Sequence, residues 1–232
     1  MRGKKLGALM ALMACLFFPL FVFAEAGENI LRSSEIVDET AYILYRPSEI
    51  DISKRYPLVI TLSPAGDAMS MINQWKPISE KYKWLILASK EFRNGIESRP
   101  ILSRLVTIVK VLHDGRFPID TQKIVATGLS GGGMGSHEFA FLFPNFISAI
   151  IINTGMINEY YLAQRSFYPR GGTVVFLASP TDFRYREMKQ NKEFLDGLNW
   201  NTKWIEFSGG HAMAPESVYE EGVEWVIAQG AK

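Results

Sequence analysis

The chain has 232 residues, of which 47% are hydrophobic and 21% are charged, and its formal net charge is +1. This balance is typical of a globular protein with enough apolar material for one core, and the length predicts one or at most two domains. The near-neutral charge and the scattered basic residues argue against a nucleic-acid-binding surface.

The first 24 residues have the pattern of a secretory signal peptide. Three basic residues lie within the first five positions, residues 6–24 are almost entirely apolar, and Val22-Phe23-Ala24 forms a cleavage site just before polar sequence begins at Glu25. Cleavage predicts an exported, secreted or periplasmic protein with no stable membrane association afterwards.

Two alternatives remain for this leader. About 19 apolar residues nearly span a bilayer, so an uncleaved anchor is one of them, although Pro19 favours cleavage. The other is lipid attachment at Cys15 within Leu12-Met13-Ala14-Cys15, which the apolar sequence after Cys15 disfavours. Cys15 is the only cysteine, so cleavage after Ala24 leaves no thiol for disulfides or for structural zinc.

Beyond the leader, apolar segments of strand length alternate with longer amphipathic segments. Residues 40–47 alternate in polarity and end at a proline, which predicts an early edge strand. Further strands, mostly apolar runs typical of strands buried on both faces, are predicted at 56–63, 83–89, 123–130, 146–154, 172–179 and 202–208. Helices are predicted at 69–82 with a break near Pro77, and at 99–113, 131–143, 187–198 and 217–228.

This alternation of strands and helices with short connections predicts an α/β fold, with a mostly parallel central sheet and helices on both faces. The sequence contains no internal repeat and no interdomain linker. One domain is therefore expected from residue 28 to residue 232. The insertions between strands are short, so no large cap domain is expected.

A serine surrounded by glycines lies between a predicted strand and a predicted helix. Gly128-Leu129-Ser130-Gly131-Gly132 matches G-x-S-x-G, the strained turn that holds a nucleophile above a sheet edge. Side chains two residues before and after the serine would collide with neighbouring elements, and the following helix aims its N-terminal amides at the site. A phosphate-binding turn is disfavoured, because the patterns G-x-G-x-x-G and G-K-[ST] are absent. The remaining alternative is a simple glycine loop.

A nucleophilic serine needs a base, and the sequence offers three histidines. His113 closes a predicted helix, where a cation suits the helix C-terminus. His137 lies two helical turns after Ser130, about 10 Å along the axis. His211 follows the last strand in a glycine-rich loop, at the same end of the sheet as Ser130, and is the predicted base. An exposed loop histidine is the alternative for this position.

The acid that orients the histidine should follow a strand and lie between the serine and the histidine in the chain. Asp182 in "FLASPTDFRY" meets both conditions, with Glu159 as the alternate. The order Ser130, Asp182, His211 predicts a catalytic triad.

The oxyanion of an acyl-transfer reaction needs backbone N–H donors. The amide of Gly131, directly after the serine, is one predicted donor. The second is expected in the loop 62–69, where Pro64 has no N–H, so that Ala65 is the prediction and Gly66 the next candidate. A plain turn is the alternative for this loop.

With these residues, the sequence resembles the α/β-hydrolase superfamily over nearly the whole chain after the leader. It is most similar to small secreted esterases without a lid: the feruloyl and acetylxylan esterase or polyhydroxybutyrate depolymerase-like group and the dienelactone hydrolase-like group. The segments that carry the resemblance are "PLVITLSPAG", "IDTQKIVATGLSGGG", "SPTD" and "GGHAMAP". One departure is Ser63-Pro64, which replaces the His-Gly usual in the oxyanion loop.

The resemblance implies hydrolysis of an ester or a related acyl bond. The leading hypothesis is an exported serine hydrolase that cleaves small-molecule or polysaccharide-linked carboxylic esters through an acyl-enzyme intermediate, with no metal and no other cofactor. A serine peptidase or amidase could use the same triad. A catalytically inactive binding protein of this fold is the second alternative, and the altered oxyanion loop is its support.

Overall fold

Residues 29–230 are described by the computed structural model. The predicted signal peptide, Cys15 and the predicted domain boundary at residue 28 lie outside the described residues. Within the described part, no helix is both long and apolar enough to cross a bilayer.

A central sheet of eight strands organises the molecule. In chain order its strands are β2 (Glu35–Asp38), β3 (Tyr42–Arg46), β5 (Tyr56–Leu62), β6 (Leu85–Ser89), β7 (Ile119–Leu129), β8 (Ala149–Asn153), β9 (Thr173–Ala178) and β10 (Asn201–Glu206). Their order across the sheet is β10-β9-β8-β7-β5-β6-β3-β2. The strands from β6 to β10 are parallel, whereas β3 is antiparallel to both β6 and β2. Two short strands, β1 (Ile30–Leu31) and β4 (Ile50–Asp51), form a separate antiparallel pair.

Helices cover both faces of this sheet. They are α1 (Ala68–Tyr82), α2 (Ser98–Asp114), α3 (Gly131–Leu142), α4 (Glu159–Ala163), α5 (Tyr185–Asp196) and α6 (Glu216–Ala228), with a 3₁₀ turn at Arg165–Phe167. Apolar residues of α2, α3 and α5 share one core cluster, and those of α1 and α6 share the other. Alternate residues of β5 enter the two clusters, Leu58 and Ile60 the first and Val59 the second, because successive strand side chains point to opposite faces.

The prediction that residues 40–47 form an edge strand is wrong. The strand β3 lies between β6 and β2, and β2 occupies the edge instead. The strand β2 has only four residues, Glu-Ile-Val-Asp, and is half exposed. Its apolar pattern is therefore too short to predict a strand. It pairs with β3 from Asp38 to Glu35, which buries most of β3.

The predicted break near Pro77 is also wrong, since α1 is continuous from Ala68 to Tyr82. The ring of Pro77 lies on the exposed side of the helix. The opposite side buries Ile72, Trp75 and Ile78 completely. The proline removes one backbone hydrogen bond, and the packing of this apolar face outweighs that loss.

Candidate active site

Ser130 occupies the turn between β7 and α3 in a conformation that few residues adopt. Its backbone dihedrals are φ 53° and ψ −115°, outside the regions that a side chain with a Cβ normally populates. Two hydrogen bonds hold this turn: the Ser130 N–H donates to the Asn153 carbonyl at 2.9 Å, and the Met134 N–H donates to the Ser130 carbonyl at 3.0 Å. The strained serine is thus fixed between the strand and the helix.

Two glycines make room for this turn. A Cβ on Gly132 would lie 1.9 Å from the carbonyl oxygen of Leu62, and a Cβ on Gly128 would lie 2.4 Å from the carbonyl carbon of Gly132. Both contacts are with backbone atoms, which cannot move aside as a flexible side chain can. The glycines at these two positions therefore have a steric cause.

The three side chains predicted as a triad come together in one hydrogen-bonded chain. The Nε2 atom of His211 lies 2.8 Å from Ser130 Oγ, and its Nδ1 atom lies 2.7 Å from Asp182 Oδ2. The carboxyl ends of β7, β9 and β10 meet at one edge of the sheet, and the three residues follow those ends. A carboxylate bound to Nδ1 favours the tautomer in which Nε2 accepts the serine proton.

Asp182 is held for this contact from both sides. Its side chain has no solvent exposure. While Oδ2 faces His211, Oδ1 accepts a 2.6 Å hydrogen bond from the Arg184 N–H. The Asp182 N–H in turn donates to the Ser179 carbonyl at 2.9 Å. Both carboxylate oxygens are therefore hydrogen-bonded, which fixes the plane of the acid.

The loop that carries His211 is anchored by Asn153, the last residue of β8. The Asn153 Nδ2 group donates to the Ala212 carbonyl at 3.1 Å, and Oδ1 accepts from the Ala214 N–H at 2.7 Å and from the Tyr219 hydroxyl at 2.9 Å. Asn153 is fully buried. Asn153 was not among the residues predicted from the sequence. Its signal was a polar side chain at the end of the otherwise apolar run Ala-Ile-Ile-Ile.

The two predicted oxyanion amides differ in their surroundings. The Gly131 N–H opens α3 and makes no hydrogen bond within residues 29–230. The Ala65 N–H donates to Ser63 Oγ over a long 3.3 Å contact. Ser63 is itself buried and also accepts from the Asp67 N–H at 3.1 Å. The Ala65 and Asp67 amides of this turn are therefore both hydrogen-bonded to the Ser63 hydroxyl.

Comparison with known proteins finds similarity in the fold and not in the sequence. No protein-family model and no curated protein matches the sequence. Among solved structures, a thermostable esterase superposes with a TM-score of 0.62 at 18% identity, over 84% of this chain and 62% of that one. The S-formylglutathione hydrolase of Staphylococcus aureus gives 0.63 at 11% identity, over 90% and 100% of the two chains. The acylaminoacyl peptidase of Pyrococcus horikoshii gives 0.65 at 14% identity, over 85% and 42%.

The chain has the α/β-hydrolase fold. The predicted fold class is thus confirmed. The chain spans less than two thirds of the thermostable esterase and of the peptidase. The superposition therefore leaves regions of those two proteins uncovered.

An aromatic side chain covers part of the imidazole. The ring of Phe183, directly after Asp182, lies 4.5 Å from the His211 ring, centroid to centroid. Phe183 is 68% exposed, so its outer face is open to solvent. The guanidinium of Arg184 lies 5.1 Å from the same ring. An exposed apolar surface with a cation beside it thus lies next to the His211 imidazole.

The remaining candidates lie elsewhere. His113 is in the last turn of α2, and Glu159 is the exposed first residue of α4. His137 is buried in α3 against Phe176, and among the described residues neither of its ring nitrogens has a hydrogen-bond partner. This burial lowers the pKa of His137 to about 3, so the imidazole is neutral at ordinary pH. Within residues 29–230, no group of three or more His, Cys, Asp or Glu side chains could hold a metal.

Proposed function

We propose that this chain is an exported serine hydrolase that cleaves carboxylic esters. The observation that carries the proposal is the hydrogen-bonded chain from Ser130 Oγ through His211 to a buried Asp182 carboxylate. It lies at the carboxyl edge of an α/β-hydrolase sheet, on a strained turn with a free helix N-terminus beside it. A purely structural role would not require the strain at Ser130.

The proposed reaction proceeds in two halves. In the first, Ser130 Oγ attacks the acyl carbon while His211 Nε2 takes the hydroxyl proton. Asp182 stabilises the imidazolium, and the tetrahedral oxyanion accepts hydrogen bonds from the Gly131 amide and from Ala65 once that amide leaves Ser63. His211 then returns the proton to the leaving alcohol, and the acyl-enzyme forms. In the second half, water attacks the acyl carbon by the same route and releases the acid.

An open site suits bulky esters. His211 is exposed, and the insertion between β8 and β9 contains only α4 and one 3₁₀ turn. The exposed face of Phe183 offers a surface for an apolar or sugar-ring part of the alcohol. We therefore extend the proposal to decorated polysaccharides and similar bulky esters as the substrate class.

Export is the second part of the proposal, and the leader sequence supports it. The full chain should be expressed in a Gram-negative host and the periplasmic product analysed by intact mass. A mass that starts at Glu25 is expected. A full-length mass in the membrane fraction, or a diacylglyceryl adduct on Cys15, would replace cleavage with one of the two alternatives.

The activity is tested with an ester and its matched amide. Residues 25–232 should hydrolyse p-nitrophenyl acetate, and Ser130→Ala should lower kcat/KM by at least about 10⁴-fold. Ser70→Ala, an exposed serine on α1, is the control and should leave the rate unchanged. A higher rate on the amide would favour the peptidase alternative. Absence of hydrolysis by the folded wild type, across acetyl, feruloyl and acetyl-sugar esters, would favour a binding protein.

A further inference from the structure

The loop after β5 offers few donors for an oxyanion. Pro64 has no N–H, the Ala65 N–H donates to Ser63 Oγ, and the Gly66 N–H donates to the Ser63 carbonyl at 3.2 Å. The Asp67 and Ala68 amides are also bonded within the loop. Of the five residues 64–68, none presents a free amide. A second oxyanion donor must therefore come from a rearrangement of this loop or from another element.

Another element does reach the site. Asn94, in the loop after β6, lies with its carboxamide against Gly131. A Cβ on Gly131 would be 1.8 Å from Asn94 Oδ1, 2.8 Å from Cγ and 3.1 Å from Nδ2. The Asn94 side chain therefore fills the space that a side chain at position 131 would occupy, directly after the nucleophile.

The position of Asn94 is fixed from its backbone. Its N–H donates to the Pro64 carbonyl at 2.9 Å, which ties it to the loop after β5. The side chain, in contrast, makes no hydrogen bond within the described residues, and it is exposed on its outer side. Since neither amide atom has a partner, rotating the carboxamide by half a turn exchanges Nδ2 and Oδ1 without loss of a hydrogen bond.

We infer that the Asn94 carboxamide is a side-chain donor of the oxyanion hole, acting beside the Gly131 amide. This inference rests on the proposed function of Ser130. With Nδ2 turned toward Gly131, a side-chain N–H group lies beside the residue that directly follows Ser130 and opens α3. A donor placed there before the reaction stabilises the developing negative charge with little reorganisation. The glycine at position 131 is then explained too, because any larger residue would displace Asn94.

The first test removes the donor, once with a side chain of similar size and once by truncation. Asn94→Leu and Asn94→Ala should each lower kcat on p-nitrophenyl acetate by about 10- to 100-fold with little change in KM, below the full loss expected for an enclosed donor. Asn94→Asp removes the donor and adds a negative charge, so its loss should be larger. Arg93→Ala, an exposed neighbour in the same loop, is the matched control and should keep the wild-type kcat.

A transition-state mimic separates oxyanion binding from a general disturbance of the site. The affinity for a trifluoromethyl ketone, which forms a hemiketal on Ser130, should fall in the Asn94 variants by the same factor as kcat/KM. Equal melting temperatures would show that the variants fold. Unchanged kcat and unchanged ketone affinity in an active enzyme would overturn the role of Asn94. Absence of ester hydrolysis by the wild type would instead overturn the proposed function and this inference with it.

A double variant tests the contact itself. Gly131→Ala should slow the wild type about as much as Asn94→Ala does, because the new methyl group displaces the carboxamide. In the Asn94→Ala background that collision is gone, so Gly131→Ala should add little. If the two losses multiply instead, the proximity of Asn94 to Gly131 has no part in catalysis.

Discussion

The turn around Ser130 places one residue under strain and clears the space around it with glycines. The cost of the positive φ at Ser130 is of order 1–3 kcal/mol, and packing must offset it. At Gly132 the neighbouring backbone leaves no room for a Cβ at all. Gly132 is therefore required for the fold of the turn as well as for the position of the Ser130 hydroxyl.

Gly132→Ala should therefore destabilise the protein by about 3 kcal/mol or more, since the Leu62 carbonyl cannot move without disturbing β5. Urea unfolding measures this change. Gly197→Ala is the control, because Gly197 has φ −65° and its added Cβ would meet nothing closer than 3.4 Å. The control should change the free energy of unfolding by less than about 1 kcal/mol. Similar effects of the two substitutions would contradict the steric account.

His137 should make the stability depend on pH. Burial lowers its folded-state pKa to about 3, whereas an unfolded histidine has a pKa of about 6.5. Between these values only the unfolded chain binds the proton, so stability falls as the pH drops below 6.5, by about 1.4 kcal/mol per pH unit. Relative to His137→Leu, the wild type should lose about 2 kcal/mol more between pH 7 and pH 5. Parallel unfolding curves for the two proteins would show that His137 is not the cause.

The three residues of the hydrogen-bonded chain could be singled out from the sequence because each has a local signal. Ser130 lies in a glycine pattern between a strand and a helix, and Asp182 and His211 follow strands in the expected order. Asn94 and Asn153 could not be predicted in this way. Each acts through contacts with residues that are distant in the chain, and a single asparagine in a loop or at a strand end predicts nothing by itself.

At the scale of elements, the loop after β10 depends on β8. Asn153 binds that loop through both ends of its carboxamide, so the strand and the histidine loop form one rigid unit. No other described side chain bonds to the backbone of both Ala212 and Ala214.

Asn153→Ala should lower the free energy of unfolding by about 2–4 kcal/mol, because it leaves the buried Ala214 N–H without its acceptor and leaves the Tyr219 hydroxyl only the weaker Met213 sulfur at 3.0 Å. It should also lower kcat about 10-fold, since a small displacement of His211 weakens the proton transfer. Asn201→Ala at the exposed start of β10 is the control, with unchanged kcat. A variant that loses stability but keeps full kcat would show that the loop holds His211 without Asn153.

Replacing Pro77 measures how much the proline destabilises α1. Pro77→Ala should raise the free energy of unfolding by about 1 kcal/mol, less than the full helix-interior penalty of about 3 kcal/mol, because the unfolded chain also gains freedom. Asn73→Ala, on the exposed side one turn earlier, is the control, because it changes helix propensity without restoring a backbone hydrogen bond. It should raise the free energy of unfolding by less than about 0.7 kcal/mol. A destabilised Pro77→Ala protein would mean that the ring itself stabilises the helix.

The buried strands and long amphipathic helices were predictable, because their apolar periodicity is strong. The elements that were missed are short: β1, β2, β4 and α4 have between two and five residues each. Such segments have too few residues for a pattern. They form because neighbouring elements offer them hydrogen bonds, as β3 does for β2.

At the scale of the whole molecule, the sheet assembles the site. The strands β5 to β10 are parallel, so the loops carrying Ala65, Asn94, Ser130, Asp182 and His211 all leave from the same edge. Two apolar clusters, one on each face, hold that edge rigid. The site therefore draws its residues from the whole length of the described chain, and its geometry depends on the complete sheet.

The measurement that tests the central claim most directly is covalent labelling of residues 25–232 with a fluorophosphonate. We expect one adduct per chain, located on the peptide that contains Ser130, absent in Ser130→Ala and formed much more slowly in His211→Ala, because the probe reacts only with a serine whose proton is removed by a base. If the folded wild type takes up no label, or if Ser130→Ala is labelled as fast as the wild type, Ser130 is not an activated nucleophile and the account is contradicted.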